Sequence, residues 1–91
     1  MSGAPHARAV LRDVFRLSGR GIVLAVDGLE GSFRIGDTVR IGALETTVTG
    51  IEMINPAPPE PRRSFGFSVG STDDAPFREA VGAPVFFASG V

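Results

Sequence analysis

The stretch SGRGIVLAVDGLEGSFRIGD, residues 18–37, holds five of the twelve glycines of the chain. A glycine-rich backbone either presents N–H groups to a phosphate or supplies the bends of a β-strand. A phosphate loop of the G-x-x-x-x-G-K-[ST] type needs a lysine, and the chain contains none. The apolar run at residues 22–26 is flanked by glycine and too short for a typical helix, so it predicts a strand. We therefore assign these glycines to the bends and turns of a sheet.

The residues after this strand allow two interpretations. The Asp-Gly pair at residues 27–28 fits a hairpin turn, whereas Gly31 fits a bulge in one long, bent strand. Phe33 and Ile35 are expected to share one face of a strand. The Gly-Asp pair at residues 36–37 predicts a turn, because aspartate readily hydrogen-bonds to nearby backbone.

Alternating apolar and polar residues predict further strands at residues 39–41, 45–54, 64–69 and 85–88. Between the last two, the sequence STDDAPFREAVGAP (residues 71–84) predicts a turn-rich connection. Its central part is expected to form one helical turn, with Asp73 or Asp74 as its cap and Pro76 near its first turn. About six short strands joined by glycine- and proline-rich turns predict a small all-β barrel or sandwich.

The N-terminal part of the chain carries two competing patterns. Arginine recurs at every fourth position from Arg8 to Arg20, with apolar residues between at helical spacing. Periodicity alone therefore predicts a short amphipathic helix. The β-branched Val10 and Val14 favour a strand instead, and Gly19 would end a helix early.

Composition excludes several classes of function. With no cysteine the chain offers no thiol nucleophile, and with one histidine, His6, it offers no multi-histidine zinc site. His6 lies in the expected N-terminal tail, a poor position for the base of a catalytic triad. We expect no enzymatic activity, no cofactor and no metal site. The net charge of -1 gives no bulk attraction for polyanions. We expect a disordered tail over residues 1–7 and one domain over residues 8–91. No run has the length of a membrane span or a signal peptide, which predicts a cytoplasmic protein without a membrane partner.

The glycine-rich stretch and its surroundings resemble the second domain of translational GTPases, the β-barrel of elongation factor Tu and its relatives. The resemblance covers about residues 12–90. It rests on DVF (13–15), SGRG (18–21), Gly31, IGD (35–37) with Val39 and IEM (51–53), and more weakly on FGF (65–67) and VGAPV (81–85).

This resemblance implies a small, closed, six-stranded antiparallel barrel of Greek-key type, with a strand rather than a helix at residues 10–18. It does not bring GTP-dependent activity, because the chain has no P-loop and no GTPase domain. The corresponding region of elongation factor Tu, which carries a basic side chain, helps to bind the aminoacyl end of transfer RNA. Here it reads AVDGLEG, and the acid Asp27 would repel phosphate.

Three arginines are the candidate contact residues for a partner: Arg20, Arg62 and Arg63. Arg62 and Arg63 end the segment NPAPPEPRR, residues 55–63, which holds four of the seven prolines. This segment predicts a stiff loop that loses little entropy on binding. Basic residues beside Phe65 and Phe67 are typical of single-strand stacking sites, although alternating phenylalanines equally fit a core strand. We predict a stand-alone, non-catalytic binding or adaptor module that engages a protein partner or a second copy. The alternative is an RNA- or ribosome-associated barrel related to translation factors.

Overall fold

Six strands and one short helix make up the described part of the chain, residues 4–19, 21–52 and 65–90 of a computed structural model. In chain order they are β1 (Ala7–Leu17), β2 (Gly21–Gly31), β3 (Thr38–Ile41), β4 (Leu44–Glu52), β5 (Phe65–Val69), α1 (Ala75–Glu79) and β6 (Pro84–Ala88). The strands predicted downstream of residue 38 are found, with ends shifted by a residue or two. Residues 53, 54 and 64 of those predictions lie outside the described ranges.

The strands form a closed barrel in the order β1-β2-β5-β4-β3-β6, and every neighbouring pair is antiparallel. Closure comes from β6, which pairs with β1 from Ala7↔Phe87 to Val10↔Pro84 and with β3 on its other side. Each described strand is thus paired on both sides over part of its length, which reduces the edge open to unwanted pairing. The predicted all-β, six-stranded closed barrel is confirmed.

The N-terminal segment is a strand, so the helix predicted from periodicity is wrong. Ala7, Ala9 and Leu11 are buried in strict alternation, and the next buried residue is Val14. The pairing of β1 with β2 shifts register between Leu11 and Asp13, which moves the inward phase by one residue. A bulge therefore produces the helix-like spacing of Leu11 and Val14.

β2 is one long, bent strand, so the hairpin turn at residues 27–28 does not form. Its bend lies at Gly28, which has a φ of 64°. At that point the pairing jumps from Asp27 opposite Val10 to Glu30 opposite Arg8. The bulge is thus centred three residues before the position predicted at Gly31.

The core is built from inward-facing aliphatic and aromatic side chains of every strand. Those with less than 2% exposure are Phe67, Phe87, Leu11, Ile22, Leu24, Val26, Val39, Val48 and Val85. Phe33, from the segment between β2 and β3, stacks on Phe87 with ring centroids 4.4 Å apart and meets Phe67 edge-on at 5.1 Å. Phe33 therefore anchors residues 32–37 to the barrel.

Residues 32–37 form a loop and not the predicted continuation of a strand. Phe33 points into the core, whereas the side chain of Ile35 is 60% exposed. The predicted turn at residues 36–37 is present: Asp37 N–H donates to the Arg34 carbonyl at 3.1 Å, and Gly36 has a φ of 99°. A positive φ at this turn position is one that glycine adopts readily.

The helical turn predicted before the last strand is α1. Asp74 occupies its N-cap position, but the Asp74 carboxylate accepts from Arg78 Nε at 2.6 Å and does not cap the helix. The carboxylate of Asp73 instead accepts from the Ala75 N–H at 3.1 Å. Among the described residues, no helix has the length and apolar character required to cross a bilayer.

The barrel begins inside the segment expected to be a tail. Ala7 is the first residue of β1, and the His6 N–H donates to the Phe87 carbonyl at 2.9 Å. Residues 1–3 lie outside the described ranges. His6 is consequently a fixed part of the barrel seam.

Candidate partner-binding surface

The three arginines predicted as contacts, Arg20, Arg62 and Arg63, lie outside the described residues. The structure describes the other six arginines, and five of them are engaged by other groups of the chain. The contacts are Arg8–Glu30 at 3.2 Å, Arg12–Asp27 at 3.2 Å, Arg40–Glu45 at 2.9 Å, Arg78–Asp74 at 2.6 Å and Arg16 Nη2 to the Thr72 carbonyl at 2.7 Å.

These pairs matter for charge more than for stability. An exposed ion pair contributes only about 0–1 kcal/mol to folding. Each carboxylate, however, cancels the field of its arginine at the distance where a phosphate would approach. Arg8 and Arg12 of β1 are thus neutralised by carboxylates, whereas Arg16 contacts an uncharged carbonyl.

A single row of side chains crosses five strands on the outside of the barrel. Arg8 on β1 lies opposite Glu30 on one side and Phe86 on the other, and Phe86 lies opposite Arg40 on β3. Arg40 in turn lies opposite Glu45 on β4. Directly opposed residues of a sheet share one face, so the row reads acid, arginine, phenylalanine, arginine, acid. We call these five residues the Phe86 row.

Phe86 separates two surface depressions at the centre of this row. One, of about 410 Å³, is lined by Pro5, Arg8, Glu30 and their neighbours. The other, of about 390 Å³, is lined by Pro5, Arg40, Pro84 and residues beside them. Phe86 is only half-buried, although its neighbour Phe87 is fully buried. An aromatic ring between arginines and prolines therefore faces solvent.

A larger groove, of about 590 Å³, lies beside the N-terminal end of β1. It is lined by His6, Ser32–Asp37, Ser89 and Gly90. Its wall is held tightly, because a Cβ added to Gly90 would overlap the Gly36 carbonyl. Only glycine at position 90 lets the C-terminal segment approach the turn this closely.

Asp37 is the structural centre of this groove. Its side chain is 7% exposed, and its Oδ2 accepts from the Arg34 N–H at 3.0 Å and lies 3.1 Å from His6 Nε2. The backbone of the same turn is tied to β4, since Gly36 N–H donates to the Val48 carbonyl and Val48 N–H to the Asp37 carbonyl. A buried carboxylate with two partners fixes the turn and the N-terminal segment together.

Arg34 differs from the other described arginines. Its backbone N–H bonds to Asp37, but no described residue forms a hydrogen bond or an ion pair with its guanidinium. It lines the groove together with the hydroxyl-bearing Ser32 and Ser89 and next to the exposed Ile35. The groove thus combines one available cation, two hydroxyls and an apolar side chain.

Outside the groove, the titratable side chain with a clearly shifted pKa in the described ranges is Asp74. The hydrogen bond from Arg78 holds the pKa of Asp74 below its ordinary value of 3.8. Within the described ranges, no three histidine or acidic side chains come together as a metal site would require. The arrangement can bind through hydrogen bonds, one cation and apolar contacts.

Sequence reasoning did not single out His6, Arg34 or Phe86 as surface contacts. Phe86 lies between Val85 and Phe87, and three consecutive apolar residues give no sign of which one faces outward. The role of His6 depends on a contact with a residue 31 positions away. Asp37 is the exception, because its turn chemistry was readable from the Gly-Asp pair.

No protein-family model and no solved structure matches this chain.

Proposed function

We propose that the chain is a non-catalytic binding or adaptor module, built on a barrel similar to the second domain of translational GTPases, and that it engages a protein partner. The six-stranded closed antiparallel barrel and the glycine-rich motifs support the kinship with that domain. The observation that carries the binding role is the Phe86 row. Aromatic residues and arginine are enriched in the cores of protein interfaces, and they supply most of the binding energy there.

A protein partner fits this surface better than RNA does. Arg8 and Arg40 flank Phe86, and each already has a carboxylate of its own chain at 2.9–3.2 Å. Phosphate binding relies on cations whose charge is available, and the net charge of the chain is -1. RNA binding would have to use Arg20, Arg62 and Arg63, outside the described ranges, or Arg16 and Arg34, which form no ion pair within them. A second copy of the chain is one of the protein partners that the proposal admits.

Photo-crosslinking tests the proposed surface directly. A photoreactive phenylalanine analogue is placed at position 86 and, as a matched control, at position 15, where Phe15 is 42% exposed on β1. We expect adducts with a defined protein from position 86 and none from position 15. The partner is then purified, and Phe86→Ala should weaken its affinity for the chain by tenfold or more. Truncating an aromatic anchor of an interface typically costs at least about 1.4 kcal/mol, which corresponds to a tenfold change in Kd. Equal adducts from both positions would contradict the proposal.

A titration with transfer RNA at two salt concentrations tests the alternative. We expect no saturable binding at low salt. Binding that weakens steeply as salt rises would support the RNA-associated barrel instead.

A further inference from the structure

We propose that the groove formed by His6, Ser32–Asp37, Ser89 and Gly90 binds a carboxylate of the partner polypeptide, supplied by an acidic side chain next to an apolar one. The inference rests on the proposed function, because it names the chemistry of the partner. His6, which lines the groove, also lines a depression beside Phe86, so the two surfaces are continuous. One partner can therefore cover both.

The positive charge of the site comes from Arg34. Its guanidinium has no partner among the described residues, in contrast to the five other arginines of the described barrel. A guanidinium presents two parallel N–H groups that match the two oxygens of a carboxylate. Ser32 and Ser89 line the same groove and add hydroxyl donors.

The backbone of the loop argues for a carboxylate rather than a phosphate. Phosphate sites are usually built from several free N–H groups or from more than one cation. Here the N–H groups of Arg34, Gly36 and Asp37 donate to Asp37 Oδ2, the Val48 carbonyl and the Arg34 carbonyl. His6 Nε2 is held by Asp37. One cation remains for the ligand, which suits a monoanion.

The acid of the loop does not oppose this ligand strongly. The Asp37 side chain is 7% exposed, and its carboxylate faces His6 and the Arg34 N–H. The side chain of Arg34, by contrast, is exposed on the groove. The ligand therefore meets the cation first.

Ile35 offers a contact for the apolar side chain that lies next to the acidic one in the ligand. Its side chain is 60% exposed, the largest exposed fraction among the large apolar residues of the described barrel. A groove of about 590 Å³ lies within the range of ligand sites. An apolar side chain packed on Ile35 would strengthen a carboxylate contact that is weak by itself.

Chemical-shift titration of the ¹⁵N-labelled full chain tests the inference. The probes are N-acetyl-Leu-Glu-amide, the neutral isostere N-acetyl-Leu-Gln-amide, N-acetyl-Leu with its terminal carboxylate, and inorganic phosphate. We expect saturable shifts at Ser32, Arg34 and Ser89 with the glutamate probe, and about tenfold weaker binding of the glutamine probe, the size of one charge-assisted hydrogen bond. Arg34→Gln should weaken the glutamate probe by a similar factor. The matched control Arg78→Gln removes an arginine of α1 and should change nothing.

The other outcomes overturn the inference. Equal binding of the glutamate and glutamine probes would show that charge is not recognised. If phosphate bound more tightly than the glutamate probe, the site would be specific for a different anion. If N-acetyl-Leu bound more tightly than the glutamate probe, the site would recognise a C-terminal carboxylate instead of an acidic side chain. Failure is separable from failure of the proposed function: position 86 would still form adducts with a protein if only the carboxylate site is wrong.

Discussion

His6 Nε2 lies 3.1 Å from Asp37 Oδ2, and this contact joins the residue before β1 to the turn before β3. The same histidine donates its backbone N–H to Phe87 of β6. Three segments that are distant in sequence thus meet at one imidazole. The barrel seam and the groove share this residue.

Removing the carboxylate of Asp37 should destabilise the fold. Asp37→Ala leaves the Arg34 N–H and His6 without their acceptor, and we expect the free energy of unfolding to fall by about 2–3 kcal/mol. His6→Ala should cost about 1 kcal/mol, because the His6 side chain is 41% exposed. Urea denaturation of both single variants and the double variant measures the coupling. Strictly additive losses would mean that the two side chains do not stabilise one another.

Phe86 and Phe87 are adjacent in β6, but truncation of Phe87 should cost much more stability than truncation of Phe86. Phe87 is fully buried and packs on Phe33 and Phe67, so Phe87→Ala should cost about 3–5 kcal/mol. Phe86→Ala should cost about 1 kcal/mol or less, because the ring faces outward. Thermal unfolding of the two variants gives the comparison. A large loss for Phe86→Ala would place that ring in the core and remove it from the proposed surface.

Two glycines of β2 separate the effect of backbone angle from the effect of space. Both have positive φ, 64° at Gly28 and 87° at Gly31, but only at Gly31 would a Cβ meet other atoms, 2.5 Å from the His6 carbonyl oxygen. Gly28→Ala should cost about 1–2 kcal/mol from the left-handed conformation alone. Gly31→Ala should cost clearly more. Equal losses by denaturant titration would show that the chain around His6 yields without penalty.

The Asp74–Arg78 pair should affect the titration of Asp74 more than the stability of the fold at neutral pH. Arg78 holds the pKa of Asp74 below 3.8, so Arg78→Gln should raise it towards that value. A depressed folded-state pKa adds stability above the ordinary value, and that stability is lost as pH falls through the folded-state pKa, below 3.8. Because the pair lies at the surface, where solvent screens it, we expect Arg78→Gln to cost only little stability at pH 7. NMR titration of the Asp74 carboxyl carbon checks the shift, and a fall in its pKa on substitution would refute the assigned cause.

The sequence predicted the barrel better than it predicted the surface. Strand patterns depend on neighbours in the chain, and the strands around Val39, Val48 and Phe67 are recognisable from alternation alone. The conflict in β1 has a simple origin: a repeat of four is also a multiple of two, so arginines at every fourth position fit one face of a regular, unbulged strand as well as one face of a helix. The bulge between Leu11 and Asp13 then moved Val14 inward and completed the helical appearance.

The Phe86 row could not be predicted from patterns in the sequence. Its members belong to β1, β2, β3, β4 and β6, and they become neighbours only through the register of the closed sheet. No local spacing records that Arg8, Phe86 and Arg40 lie side by side. The groove has the same origin, since Ser89 and Gly90 reach the turn at Asp37 from the other end of the chain.

Because the Phe86 row crosses the seam where the barrel closes, a partner bound to the row would also hold the seam together. β6 is a five-residue strand that joins β1 to β3, and it pairs with β1 only over residues 7–10. A partner lying across the row would clamp the first, last and third strands at once. Its binding energy would then oppose local opening of the seam. Amide hydrogens of β6 should exchange more slowly in the complex, so the barrel itself would report occupancy of its outer face.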